Sequence, residues 1–252
     1  MKAMIFAAGL GTRLRPLTDN MPKAMVPVAG KPMLQRVIEN LSQYGFHDIV
    51  INIHHFGEQI IDFLEANNNF GENIIISDER KCLLDTGGGI LAARQWLDDG
   101  EPFIVHNSDI LSTLDLNTMY KHHCNSNADA TLLVKSRKTE RYLLFDNNNQ
   151  LQGWINKKTG ETRPNGFTIL EQNFQEFAFG GIHIISPSIF DAMEKYSTEP
   201  KFSITPFYID KCKELTIQGY TPSDYDWFDI GKPETLTLAN NHFSQQSKTS
   251  TI

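Results

Sequence analysis

Across the first hundred residues, short apolar runs alternate with stretches of helical periodicity, and no other feature of the chain limits its fold as strongly. Strands are expected at residues 3–8, 48–53, 73–77 and 103–106, with helices at 33–44, 57–66 and 89–97. Strands joined by crossover helices pair in parallel, and helices then cover both faces of the sheet. The expectation is a single, doubly wound, Rossmann-like α/β domain with a mixed, mostly parallel central sheet. Ligands of such sheets gather at the carboxyl ends of the strands. The second half is less regular. Strands are expected at 130–135, 142–146 and 179–185, a hairpin turn at Asn147-Asn148-Asn149, and helices at 188–195 and 206–213.

A chain of 252 residues can form one such domain, and with 40% apolar and 21% charged residues it has ordinary globular composition. No run approaches the roughly 18 apolar residues of a membrane span, so no membrane association is expected. The run of apolar residues at 4–8 is preceded only by Lys2 and reads as a buried strand, not a signal peptide. Cys82, Cys124 and Cys212 are odd in number and widely spaced. They fit a reducing cytoplasm better than a disulfide framework or zinc site. The net charge of −7 argues against a nucleic-acid surface. Within residues 1–40, however, six basic side chains face two acidic ones, a balance of +4 that leaves −11 for the remainder. A local cationic site on an acidic body suits a small polyanion.

That site is expected at Ala7-Ala8-Gly9-Leu10-Gly11-Thr12-Arg13, which follows the first strand directly. Glycine there permits positive φ and close ligand approach, backbone amides donate to phosphate oxygens, and Arg13 can add a bidentate contact. Glycines alone would mark an ordinary tight turn. No Gly-Lys-Ser/Thr follows, and the third glycine of a dinucleotide fingerprint is missing, so neither of those phosphate motifs applies. The continuation through Leu14-Arg15-Pro16-Leu17-Thr18, Met21-Pro22-Lys23-Ala24 and Pro27-Val28-Ala29-Gly30-Lys31-Pro32-Met33 is more specific. It resembles the signature of the sugar-phosphate nucleotidyltransferases (NDP-sugar pyrophosphorylases), in which a G-x-G-T-R loop precedes P-K and then K-P-[ML].

The resemblance covers nearly the whole chain. It implies a nucleotide-diphospho-sugar transferase fold over residues 1–243, with a nucleotide half at 1–115 and a sugar half at 116–243; the polar segment 244–252 reads as a frayed tail. It implies that Ala8, Gly9, Gly11, Thr12 and Arg13 surround the triphosphate and that Lys23 reaches the α-phosphate. Arg15 and Lys31 read as loop packing or surface. Asp109 in His106-Asn107-Ser108-Asp109 and Asp229 in Trp227-Phe228-Asp229-Ile230-Gly231 match the family's G-D-x and W-x-D-[IVT]-G motifs, with Ser108 in place of the usual glycine. An isolated aspartate at a strand end is more often a cap or turn residue, but the matched pair implies ligands to Mg2+. Arg13, Lys23 and Asp109 are the catalytic residues so implied.

Asp85-Thr86-Gly87-Gly88-Gly89 reads by itself equally as a flexible helix start or as bare backbone against a flat ligand; the resemblance favours base recognition by Gly87 and Gly88, with Glu79 beside them. It also assigns Asn107, Gly181 and Lys157 to the sugar, Lys157 standing where relatives carry an E-K-P element. His183 reads as a packed core residue. His54-His55 and His122-His123-Cys124 lack spaced partners and read as packing or surface, not metal ligands. Transfer from UTP to N-acetylmuramate 1-phosphate in cell-wall recycling is the implied reaction, in the cytoplasm, by a monomer or small homo-oligomer. Mannose 1-phosphate with GTP, or phosphocholine with CTP, are the alternatives, and a non-catalytic nucleotide-sugar sensor is the alternative of another class.

Overall fold

The computed structural model describes residues 1–167 and 174–249. In chain order the first elements are β1 (Lys2–Phe6), β2 (Pro27–Val28), β3 (Lys31–Pro32), α1 (Met33–Gln43), β4 (Asp48–Ile53), α2 (Gly57–Ala66) and β5 (Asn73–Asp78). Then come α3 (Asp85–Ala92), α4 (Arg94–Leu97), β6 (Phe103–Asn107), β7 (Ile110–Ser112), α5 (Leu116–Ser126), β8 (Ala130–Lys135), β9 (Arg141–Phe145) and β10 (Leu151–Asn156). The last are β11 (Thr162–Arg163), β12 (Gln175–Ile185), α6 (Phe190–Glu194), α7 (Ile204–Lys211), β13 (Ile217–Tyr220), β14 (Trp227–Asp229) and α8 (Pro233–Thr249). Among the described residues no helix is long and apolar enough to cross a membrane.

Two compact units interleave along the chain. Unit 1 comprises Met1–Leu83, His106–Leu116 and Asp224–Ile252; unit 2 comprises Leu84–Val105 and Asn117–Ser223. In unit 1, β1 pairs in parallel with β4, and β4 with β5, as the apolar runs demand. Ala3, Met4 and Ile5 of β1 and Ile49, Ile51 and Ile53 of β4 are fully buried. Each such large side chain contributes about 1.5–3 kcal/mol. Helix α1 buries Met33, Leu34, Val37, Ile38 and Leu41, a stripe with helical spacing. A short antiparallel ribbon of β7 and β14 sets Asp229 opposite Ile110 and Trp227 opposite Ser112.

Unit 2 is mainly antiparallel. Strand β12 pairs with β8 and β9, β9 with β10, and β10 with β11, while β13 joins β8 in parallel. The strand set is therefore mixed, with the parallel βαβ pairing of β1, β4 and β5 on one side of the chain's alternation and hairpin pairing following it.

Three expectations are corrected. The helix expected from 89 to 97 begins at Asp85 and is interrupted at Ala93, whose amide is shared between the carbonyls of Gly89 and Ile90. The three glycines lie inside its first turns, all buried. The helix expected from 206 begins at Ile204, because Pro206 falls in the first turn, where its missing N–H is no loss. The residues expected to fray continue α8 as far as Thr249. Just before them Phe243 packs on Phe228 (5.9 Å) and under the Arg36 guanidinium (4.7 Å), which fixes the helix.

Candidate active site

The parallel strands of unit 1 end in a buried polar chain. The Ala7 amide donates to Asn52 Oδ1 (2.8 Å), and Asn52 Nδ2 donates to Glu79 Oε1 (2.8 Å). Asn52 and Glu79 are each only 3% exposed, so these bonds replace water at the carboxyl ends of β1, β4 and β5. Glu79, expected beside the base-reading glycines, is thus a buried carboxylate held by Asn52 within unit 1. Asn52 went unnoticed in the sequence. Its signal is a single amide side chain inside the otherwise apolar Ile49-Val50-Ile51-Asn52-Ile53.

From this anchored end the glycine loop departs. Ala8 is buried and Gly9 exposed, with nothing within 4 Å of a Cβ added at Gly9. Gly11 adopts φ 66° and opens a 3-10 turn at Thr12–Leu14, closed by the Leu14 amide (2.9 Å) and by Thr18 Oγ1 (2.9 Å), both donating to the Gly11 carbonyl. A Cβ on Gly11 would stand 2.9 Å from Lys23 Cβ, so glycine is required by the backbone angle and by the approach of Lys23. A cavity of about 330 Å³ is lined by Gly9, Gly11, Thr12, Arg13, Lys23 and Gly231.

Lys23 is joined by an ion pair to Asp109, with side chains 12% and 20% exposed. Asp109 follows β6; the neighbouring Ser108 is buried, and its amide donates to the Phe6 carbonyl (3.1 Å). Ser108 does not have positive φ, so a serine meets no backbone penalty where relatives carry glycine. The Ile230 amide donates to the Asp109 carbonyl (2.8 Å), which brings the two aspartate-bearing segments side by side across some 120 residues of sequence. Asp229 and Arg13 both reach Gly231: a Cβ there would lie 2.9 Å from Asp229 Oδ1 and 2.9 Å from Arg13 Nη2. Arg13, Lys23, Asp109 and Asp229 thus converge on the glycine loop. No cluster of three or more His, Cys, Asp or Glu that could hold a metal occurs among the described residues, and these two carboxylates are hard oxygen donors. Asn107 ends β6, half-buried, and its carbonyl pairs with His106 Nδ1 (2.9 Å). Burial lowers the His106 pKa to about 4, so this imidazole is neutral at pH 7.

The remaining expected residues lie in unit 2. Gly87 and Gly88 are not open to a flat ligand as the sequence reading has them. Their amides both donate to the Phe202 carbonyl (2.8 and 3.1 Å), and added Cβ atoms would fall 2.3 Å from the Phe202 ring and 2.1 Å from the Pro200 carbonyl oxygen. Their bareness serves the packing of α3 on the 200–202 segment. Lys157 is exposed and paired with Glu176 (2.5 Å). Gly181 has φ 77° where β12 shifts register between Phe179 and His183. His183 is buried against Tyr208, with Nδ1 2.8 Å from the hydroxyl, as a core residue would be. His123 bonds Thr131 and Ser186, and in unit 1 His54 bonds the Glu79 carbonyl.

A family model described as nucleotidyl transferase matches residues 2–246. An N-acetylmuramate alpha-1-phosphate uridylyltransferase of Neisseria meningitidis serogroup B is 32% identical over 237 residues, covering 92% of this chain and 93% of that protein. A probable mannose-1-phosphate guanylyltransferase of rice (Oryza sativa subsp. japonica) is 32% identical over 239 residues; the chain spans only 62% of its length, and a similar share of other curated relatives. The structure of a putative glucose-1-phosphate thymidylyltransferase from Bacillus anthracis superposes with a TM-score of 0.80 at 19% identity, covering 97% of this chain and 95% of that one. At that identity the likeness establishes the α/β fold.

Proposed function

The chain belongs to the nucleotidyl transferase family, and from that premise we propose that it transfers uridine monophosphate from UTP to N-acetylmuramate 1-phosphate, releasing pyrophosphate. The observation that carries the reading is the meeting of Arg13, Lys23, Asp109 and Asp229 around the cavity of the glycine loop. The choice of substrates is supported by the Neisseria relative, nearly all of whose length the chain covers.

In this reading the amides after Gly9 and Gly11 receive the triphosphate. Lys23 and Arg13 stabilise the charge that builds at the α-phosphate, an effect worth about 3–4 kcal/mol per donor in comparable sites. Asp109 and Asp229 would hold Mg2+, which when bound would supply charge neutralisation to the phosphates. The acceptor phosphate is already ionised at neutral pH, so its oxygen attacks in line without a protein base, and pyrophosphate leaves. No covalent intermediate with the enzyme is needed, because holding the reactants in register carries most of the acceleration. A reaction drawing on UTP belongs in the cytoplasm, in keeping with three cysteines that are all free thiols.

Pyrophosphate release with each of the four triphosphates against a panel of sugar phosphates tests the reading. UTP with N-acetylmuramate 1-phosphate is expected to be the best pair. GTP with mannose 1-phosphate would move the chain toward the function of its rice relative, and CTP with phosphocholine to the third alternative. Tight binding of nucleotide sugars with no release from any pair would make it a sensor. Asp109→Asn is expected to lower turnover at least about a hundredfold with an unchanged thermal midpoint; near-normal turnover would refute the metal role.

A further inference from the structure

One peptide group of unit 1 is held at both ends. The Phe6–Ala7 peptide closes β1 where its pairing with β4 stops, and Phe6 stands opposite Asn52 there. The amide of this peptide, on Ala7, donates to Asn52 Oδ1 (2.8 Å), and its carbonyl, on Phe6, accepts the Ser108 amide (3.1 Å). A peptide group is planar and stiff, so the two bonds move together. Ser108 precedes Asp109, whose carbonyl accepts the Ile230 amide (2.8 Å), and Ala7 stands two residues before Gly9. A displacement of Asn52 is thus passed to the aspartate segments on one side and to the glycine loop on the other.

Asn52 is itself fixed from a third strand. In register it stands between Phe6 of β1 and Ser77 of β5, and its Nδ2 donates to Glu79 Oε1 (2.8 Å) just beyond β5. Asn52 and Glu79 are each 3% exposed, so a bond lost here is not made up by solvent. The side-chain amide has one orientation. Turned over, it would set its NH2 group against the Ala7 N–H and its oxygen against the Glu79 carboxylate. An oxygen acceptor and a nitrogen donor together on so short a stem are what asparagine alone supplies. Asparagine is otherwise disfavoured in strands, and every other residue from Ile49 to Ile53 is aliphatic.

Resting on the nucleotidyl-transfer reading, we infer that Asn52 is a positioning residue of that reaction: through the Phe6–Ala7 peptide it sets the place of the glycine loop relative to Asp109. It acts through other groups, fixing where the phosphate-binding amides stand with respect to the Asp109 carboxylate.

The test exchanges donor and acceptor. In Asn52→Asp the new carboxylate still accepts the Ala7 amide but meets Glu79 with like charge, and two carboxylates at that distance share one proton once the pH is low enough. Pyrophosphate release from UTP and N-acetylmuramate 1-phosphate is measured between about pH 6 and 9, well below each thermal midpoint, so that only folded protein is compared. Relative to the unaltered protein at the same pH, kcat/KM for UTP should fall about 10- to 100-fold near pH 9 and recover at least about fivefold toward pH 6, where the shared proton restores a donor to Glu79. The ratio cancels what both proteins share, the titration of His54 at the Glu79 carbonyl included; the nearby Asp78 and Arg80 are paired with each other. Asn52→Ser, too short to reach both partners and without a carboxyl, should lose about tenfold with no recovery at low pH. Asn52→Asp combined with Glu79→Gln reverses the direction of their bond and should regain at least about fivefold over Asn52→Asp near pH 9. If Asn52→Asp is unfolded there, the combined variant is compared with Asn52→Ser instead. Full activity in both single variants, or losses that neither low pH nor the combined change reduces, overturn the inference. If the unaltered protein releases no pyrophosphate with any pair, the transfer reading fails by itself, and calorimetric titration of UTP judges Asn52. Weaker binding in Asn52→Asp that the combined change restores would keep Asn52 as the residue that positions the loop, and equal or absent binding in all three proteins would overturn it.

Discussion

Replacing Gly231 by alanine perturbs the proposed catalytic constellation while adding one methyl group. The glycine is buried, and its φ lies outside the left-handed region, so the backbone accepts alanine. The new Cβ would stand 2.9 Å from Asp229 Oδ1, 2.9 Å from Arg13 Nη2 and 3.1 Å from Arg13 Cζ. Ordinary contact begins at 3.4 Å, so both groups must retreat by at least about half an ångström. A misplacement of about 1 Å costs about a hundredfold in rate where positioning carries the catalysis, which sets the expected fall in kcat/KM at roughly 10- to 100-fold. Stability should change by less than about 1 kcal/mol. The Arg13 side chain can move into solvent, and alanine restricts the unfolded chain more than glycine does. The assay is pyrophosphate release under saturating UTP, beside a thermal melt of the same sample. Combining the change with Arg13→Ala removes one of the two clashes, so the two losses should not add. Wild-type turnover in Gly231→Ala, or strict additivity in the double variant, would show that neither side chain acts from the place the structure gives it.

The remaining predictions concern the fold. Gly88→Ala places a Cβ 2.1 Å from a backbone oxygen, at Pro200, that cannot swing aside; it should destabilise by about 3 kcal/mol and lower the thermal midpoint by about 6–12 °C. Gly9→Ala, with open space around its Cβ, should leave the midpoint within about 2 °C, and similar midpoints for the two variants would contradict the packing described. Burial lowers the His123 pKa to about 4, with the His122 charge adding to the effect. The folded state therefore favours the neutral ring: this contribution is fully present above about pH 6.5 and is lost as pH falls toward 4, by about 3 kcal/mol. Unfolding by urea at pH 7, 5.5 and 4.5 should show a shallower acid decline in His123→Gln than in the unaltered chain, and parallel curves would exclude the assignment.

Much of this was legible in the residues themselves. Apolar runs such as Ile49-Val50-Ile51 and the stripe Met33, Leu34, Val37, Ile38, Leu41 specify strand and helix through their own periodicity, and the parallel pairing of β1, β4 and β5 follows from the helices between them. The segment from Gly9 to Met33 carries its meaning locally, because a loop that must turn at positive φ and admit a lysine needs glycine and lysine at fixed spacing. The glycines at 87 and 88 show the limit. A glycine states only that something lies close, and whether that neighbour is a ligand or the Phe202 backbone depends on residues more than a hundred positions away.

The sequence by itself determined the alternation of elements, the loop chemistry at the end of β1 and the residue types of the site. Only the tertiary structure decided which groups share a space. Asp109 meets the segment of Asp229 through the bond from the Ile230 amide to the Asp109 carbonyl, and Glu161 is held by Arg163. Such pairings are settled by competition among distant partners once the chain has closed, and no local pattern of residues records who wins.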